Sequence, residues 1–203
     1  MQRRASAEPA RETRTRLIAA AASIISDRGD SAATSRAITE HAGENLASVT
    51  YYFGSKKRLL AEAHAHIAGQ LIQPVVETLS SDRPPLERML TAASQLHQLL
   101  EAERGQVVGY TQALAAAARD AESGDALRDL HRQLHQVLTD DIRTQQDASA
   151  LPAWVEPDAM ANLIIALVNG VAVTSVVSGP EEFDAARVGI QFAALLTGAR
   201  NAD

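Results

Sequence analysis

The chain has 203 residues, 46% of them hydrophobic and only 3% aromatic, no cysteine, and a formal charge of −6. This length and apolar content give a globular protein with a buried core, and the missing cysteines exclude disulfide and thiol chemistry while fitting a reducing cytoplasm. Alanine and leucine abound and few Val, Ile or Thr alternations occur, so an all-α fold is expected.

Residues 1–10, which carry Arg3 and Arg4, read as a flexible, solvated arm. A helix follows, with Leu17, Ala21, Ile24 and Ile25 on its apolar face and a natural end at Asp27-Arg28-Gly29. The basic lead to Arg16 and the apolar run Leu17–Ile25 also imitate a secretory signal. That reading is disfavoured, because Glu8 and Glu12 interrupt a lead that is already too long.

The next stretch, Thr34 to Leu60, is the most informative. Ala37, Ile38 and Ala42 form one apolar stripe on a short helix that Thr34 or Ser35 can cap, and Gly43 supplies the left-handed residue that ends it. Asn45 is a strong N-cap for a second short helix. There Leu46, Val49 and Phe53 recur at i, i+3 and i+7 and are expected to pack inward, leaving Ala47, Ser48, Thr50 and Tyr51 on the outer side. Small and hydroxyl-bearing groups on an outer helix face suit the major groove of DNA. Ser55 then caps a third helix whose first turn carries Lys56, Lys57 and Arg58. Cations oppose the helix dipole there, which points to a bound anion such as DNA phosphate.

At these residues the chain resembles the TetR family of transcriptional regulators, whose hallmark runs A-G-V-S-x-G-x-(L/V)-Y-x-(Y/H)-F and then x-S-K-x-x-L. Here Ala42-Gly43-Glu44-Asn45-Leu46-Ala47-Ser48-Val49-Thr50-Tyr51-Tyr52-Phe53 is followed by Gly54-Ser55-Lys56-Lys57-Arg58-Leu59. The resemblance implies DNA contacts from Ser35 and Arg36, from Asn45, Leu46, Ala47, Ser48, Thr50, Tyr51 and Tyr52 on the recognition segment, and a phosphate contact from Lys56. Two positions depart from the pattern. Thr50 replaces a tyrosine and so shortens any phosphate contact, and Glu44 replaces an apolar turn residue, putting a negative charge near the DNA side.

The charge is unevenly spread: residues 1–60 carry +4 and the remainder −10. A basic head on an acidic body fits a DNA module joined to a separate regulatory module, because phosphate attraction is local on the scale of the Debye length. The expected organisation is therefore an arm at 1–10, a three-helix helix-turn-helix domain at 11–60, and a helical ligand-binding and dimerisation domain at 61–203.

In the body, the linking helix continues to Leu79 with Pro74 near its end, and 80–85 is a loop. Leu86 to Leu100 marks an amphipathic helix ending near Gly105. Another runs from about Gln106 to Ala121, and Ser123-Gly124-Asp125 is expected to break it. Leu127, Leu130, Leu134, Val137, Leu138 and Ile142 stripe a longer helix to about Asp147, and a loop through Pro152 and Pro157 holds Trp154. Ala159 to Val177 is apolar enough to suggest a membrane anchor, but Asn162, Asn169, Thr174 and Ser175 lie inside it and no basic residues flank it. We expect no membrane partner. A helix apolar nearly all round is otherwise buried on every side, with core on one face and a partner subunit on the other. The family resemblance implies that this helix and the last one, starting at Pro180, form a four-helix homodimer interface, with Leu163, Leu167, Gly170, Val171, Phe183, Ile190 and Ala194 as candidates. Two-fold pairing also has a physical motive, since one short helix reads too few bases to be selective.

Little points to catalysis. His131 and His135 at i and i+4 could chelate a metal, yet no third ligand has recognisable spacing, so exposed histidines and no metal or cofactor are expected. No phosphate loop, nucleophile elbow or HExxH motif occurs. The family implies a pocket for a small, mostly apolar effector. Leu71, Met89, His97, Tyr110, Leu134, Trp154 and Asn162 are candidates to line it. The expected function is a ligand-responsive repressor of a double-stranded operator; the alternative is a helical small-molecule-binding protein or enzyme that retains an unused reader-like segment.

Overall fold

A computed structural model describes residues 7–84, 104–119 and 121–178, with scattered positions between 87 and 98 and between 182 and 191. Among the described residues every regular element is a helix, as expected: α1 (Ala7–Arg28), α2 (Ser35–Ala42), α3 (Ala47–Phe53), α4 (Lys56–Leu79), α5 (Arg104–Arg119), α6 (Ala121–Asp147) and α7 (Pro157–Ser178). The candidates Met89, His97, Ile190 and Ala194 lie outside the described residues. The chain divides into two compact units, one from Met1–Gln70 and Val108–Asp129, the other from Leu71–Val107 and Leu130–Asp203.

The first unit is built on α1. Leu17, Ala21, Ile24 and Ile25 are all buried, as their spacing predicts, and they pack with Ile38, Val49, Phe53, Leu59, Ala63 and Ile67. Burying aliphatic groups of this size contributes roughly 1.5–3 kcal/mol each, so the short α2 and α3 draw their order from this core. Helix α1 begins at Ala7, within the segment expected as an arm. Pro9 lies in its first turn, where a missing N–H breaks no intrahelical bond. A polar tie closes the unit: buried His64 of α4 places Nε2 2.9 Å from Asp30 Oδ1 in the loop after α1.

In the second unit Leu134, Leu138 and Ile142 of α6 are buried together with Asp141 and Gln145. Arg88 donates from Nε to Asp141 Oδ1 at 2.9 Å and from Nη1 to the Ser81 carbonyl at 3.2 Å, while Gln145 Nε2 donates to Asp141 Oδ2 at 2.6 Å. Each Asp141 oxygen is thus matched by a donor, as a buried carboxylate requires. Glu156 opens α7 by accepting from the backbone N–H of Asp158 and Ala159 at 3.2 and 2.5 Å.

Two helix boundaries differ from expectation. Ser123-Gly124-Asp125 does not interrupt the chain but forms the first turn of α6. Gly124 is buried there, and a Cβ on it would stand 3.0 Å from the Ala117 carbonyl oxygen, so the glycine serves a close approach rather than a break. Gly105, expected near a helix end, lies instead in the first turn of α5.

Candidate nucleic-acid interface

Four caps set the helix-turn-helix segment. Thr34 Oγ1 accepts from the Ala37 N–H at 3.1 Å and starts α2. At the other end Gly43 adopts φ 68°, with its N–H on the Glu40 carbonyl and the Glu44 N–H on the Thr39 carbonyl, the doubled closure that needs a left-handed residue. Asn45 Oδ1 then accepts from the Ser48 N–H at 3.1 Å, and Ser55 Oγ accepts from the Arg58 N–H at 3.2 Å to start α4. Each such cap is worth about 1 kcal/mol, so local chemistry fixes where α2, α3 and α4 begin and where α2 ends.

Helix α3 turns Val49 and Phe53 into the core and leaves Leu46, Ala47, Thr50 and Tyr51 exposed, Tyr51 at 81%. Residues spaced i, i+1, i+4 and i+5 share one side of a helix, so these four make a single outward face. Tyr52 is half-buried against the core, its ring edge-on to Tyr51 at 4.8 Å. Arg36 and Asn45 are exposed, whereas Ser35 and Lys56 are half-buried. Two expectations need correction. Leu46 does not pack inward: it precedes the first helical residue, Ala47, and is 55% exposed. Ser48 does not face outward, because its hydroxyl turns back to donate to Asn45 Oδ1 at 3.3 Å and the residue is buried.

The Glu44 charge is also answered. Arg16 of α1 pairs with Glu44 and reaches Glu12 at 3.0 Å; hydrogen bonding to Glu44, assisted by both carboxylate charges, makes the guanidinium hold its proton more firmly. Nearby, Arg14 pairs with Glu62 of α4 and lies 5.2 Å over the Phe53 ring. Sequence periodicity signalled neither arginine, since both contacts are tertiary.

The effector candidates differ in burial. Leu71 and Leu134 are buried in the second unit, and Tyr110 is buried in the first, where desolvation pushes its hydroxyl up to about 12. Trp154 and Asn162 do not line an interior: Trp154 is 59% exposed in the loop before α7, and Asn162 is exposed with its amide donating to the Asp158 carbonyl at 3.0 Å. His131 and His135 are half-buried rather than exposed, and burial lowers the His131 pKa. Among the described residues no group of three or more metal-ligating side chains occurs.

Helix–turn–helix geometry, an outward reader face and cations at the start of α4 define the architecture of a DNA-reading protein. The family profile of bacterial regulatory proteins of the tetR family matches residues 17–63, and that of the BetI-type transcriptional repressor C-terminal region matches residues 85–199. The chain belongs to the TetR family of transcriptional regulators, a family of regulators rather than enzymes. No curated protein matches it significantly in sequence. Among solved structures it is similar to a transcriptional regulator from Rhodococcus sp. RHA1 (21% identity, 91% of this chain and 96% of that one, TM-score 0.71). It is also similar to FadR from Bacillus subtilis in complex with stearoyl-CoA (16%, 90% and 96%, TM-score 0.71) and to a regulator from Saccharomonospora viridis in complex with choline (22%, 84% and 88%, TM-score 0.69).

Proposed function

We propose that the chain is a cytoplasmic homodimeric repressor that binds a palindromic operator and is released by a small, mostly apolar effector. Reading is assigned to residues 11–60 and effector binding and dimerisation to 61–203. The observation that carries the reading is the single exposed face of Leu46, Ala47, Thr50 and Tyr51, together with the exposed Arg36 and the basic run Lys56–Arg58 that opens α4. Small and hydroxyl groups there permit close approach to bases, while the cations meet phosphate. Stearoyl-CoA and choline in two relatives support an effector role for the helical body, without naming this chain's effector.

Dimerisation draws support from α7. Ala159, Leu163, Ala166, Gly170, Val173 and Val177 recur at alternating spacings of four and three, and every one is exposed in the protomer, Val177 at 79%. An unbroken apolar stripe of this kind fits a partner helix. Polar groups along α7 bond to their own helix instead, Thr174 to the Gly170 carbonyl at 2.8 Å and Ser175 to the Ala172 carbonyl at 2.9 Å. The helix is long and apolar enough to cross a bilayer by length and composition, yet the stripe suits pairing with a partner helix. Leu167 and Val171 sit half-buried off the stripe, as does Phe183 beyond the helix.

The test is a salt-dependent titration against DNA from beside the protein's own gene, with scrambled DNA as control. Selective binding at least about a thousandfold tighter than to scrambled DNA is expected. Equal, weak binding to both, lost at moderate salt, would favour the helical ligand-binding alternative with an unused reader. For the dimer, Gly170→Leu is the sharper probe, because a Cβ there meets nothing within 4 Å in the protomer. The variant should fold normally, yet overpacking at the partner contact should weaken the dimer about tenfold or more in sedimentation. An unchanged dimer would remove Gly170 from the interface.

A further inference from the structure

Glu44 stands in the reader turn, where family members usually carry an apolar residue, and the structure gives it an unusual setting. Its side chain is only 15% exposed and is paired with Arg16, which lies 28 residues earlier in the sequence on α1. Arg16 is itself held in place, donating from Nη1 to Glu12 Oε1 at 3.0 Å and from Nη2 to Thr13 Oγ1 at 3.2 Å. Glu44 adjoins Asn45, the cap of α3, and lies two residues before Leu46 and three before Ala47 opens the exposed face. Any phosphate that this face approaches would lie within a Debye length of the carboxylate.

Resting on the DNA-reading function above, we propose that Arg16 is a positioning residue for operator recognition: it neutralises Glu44 and fixes the turn from which the recognition helix starts. Without Arg16, a partly buried carboxylate would be left unpaired next to the phosphate backbone, and the cost would appear when DNA binds. The pair substitutes a charge-compensated contact for an apolar turn. Arg16 acts through Glu44 and not by touching DNA.

The test uses the full-length protein, the DNA fragment from beside its own gene, and four proteins: wild type, Arg16→Met, Glu44→Gln and the double variant. Affinities are read by fluorescence anisotropy across a salt series, with thermal melts as a fold control. Arg16→Met should weaken binding about tenfold, Glu44→Gln should bind as well as wild type or slightly tighter, and the double variant should return to within about twofold of wild type. All four should share one salt slope. If the double variant stays as weak as Arg16→Met and its slope falls by about 0.9, Arg16 is itself a phosphate contact and the inference is overturned. Wild-type affinity in Arg16→Met would overturn it as well. A wild type that does not prefer the specific fragment over scrambled DNA removes the reader function first, and this role with it.

Discussion

Tyr51→Ala combined with Lys56→Ala is expected to lower operator affinity about a hundredfold while leaving the fold intact. Tyr51 is 81% exposed and its main intramolecular contact is the edge-on ring of Tyr52, so its removal costs the protein at most about 1 kcal/mol. Lys56 opens α4 directly after the Ser55 cap, where the helix dipole and the ammonium both attract an anion. Losing that contact should also flatten the salt dependence by about one unit of slope. Anisotropy titrations at several salt concentrations, with circular dichroism melts of the same protein, check both halves. Retained affinity in a folded double variant would mean that α3 is not the recognition helix.

The second large effect concerns stability. Asp141→Ala should destabilise the protein by about 3–5 kcal/mol, because it leaves the Arg88 guanidinium unpaired in a buried setting. The Asp141 side chain is 6% exposed and that of Arg88 13%, so solvent cannot replace the lost partner cheaply. Arg88 also holds the Ser81 and Arg83 carbonyls, which ties the loop after α4 to α6 through one side chain. Urea unfolding monitored at 222 nm measures the change. A loss under about 1 kcal/mol would mean that water reaches the guanidinium and that the pair is not a structural anchor.

What could be read beforehand was the chemistry that acts over a few residues. Thr34, Gly43, Asn45 and Ser55 each determine a cap through their own side chain or backbone freedom, and all four behave as their residue types dictate. Leu17, Ile24 and Ile25 were legible because a full helix repeats its apolar face several times. In α3 the same periodicity had only seven residues to work with. Leu46 falls at the edge of the outward face and stays exposed, and one local hydrogen bond draws Ser48 inward. Gly124 misled for a related reason, since a glycine that permits close packing and one that ends a helix look alike in sequence. The polar ties were illegible: His64 with Asp30, Arg16 with Glu44 and Arg88 with Asp141 join residues 34, 28 and 53 positions apart. Residue type and helix membership mark effector candidates in sequence without fixing which way a side chain faces, and Trp154 and Asn162 are exposed.

Helix α3 divides its labour by side. A helix of seven residues has almost no stability of its own, so Val49, Phe53, the Asn45 cap and buried Ser48 maintain its shape. The outward residues Ala47, Thr50 and Tyr51 contribute little to that task, and surface changes of this kind shift stability by only about 0.5 kcal/mol. If α3 reads the operator as proposed, mutation can rewrite the sequence recognised without first clearing a folding barrier. On that reading, drift toward a new operator, and the rewiring of a regulatory circuit that follows, is open to this scaffold through its outward positions, while the positions that hold the helix in place stay constrained.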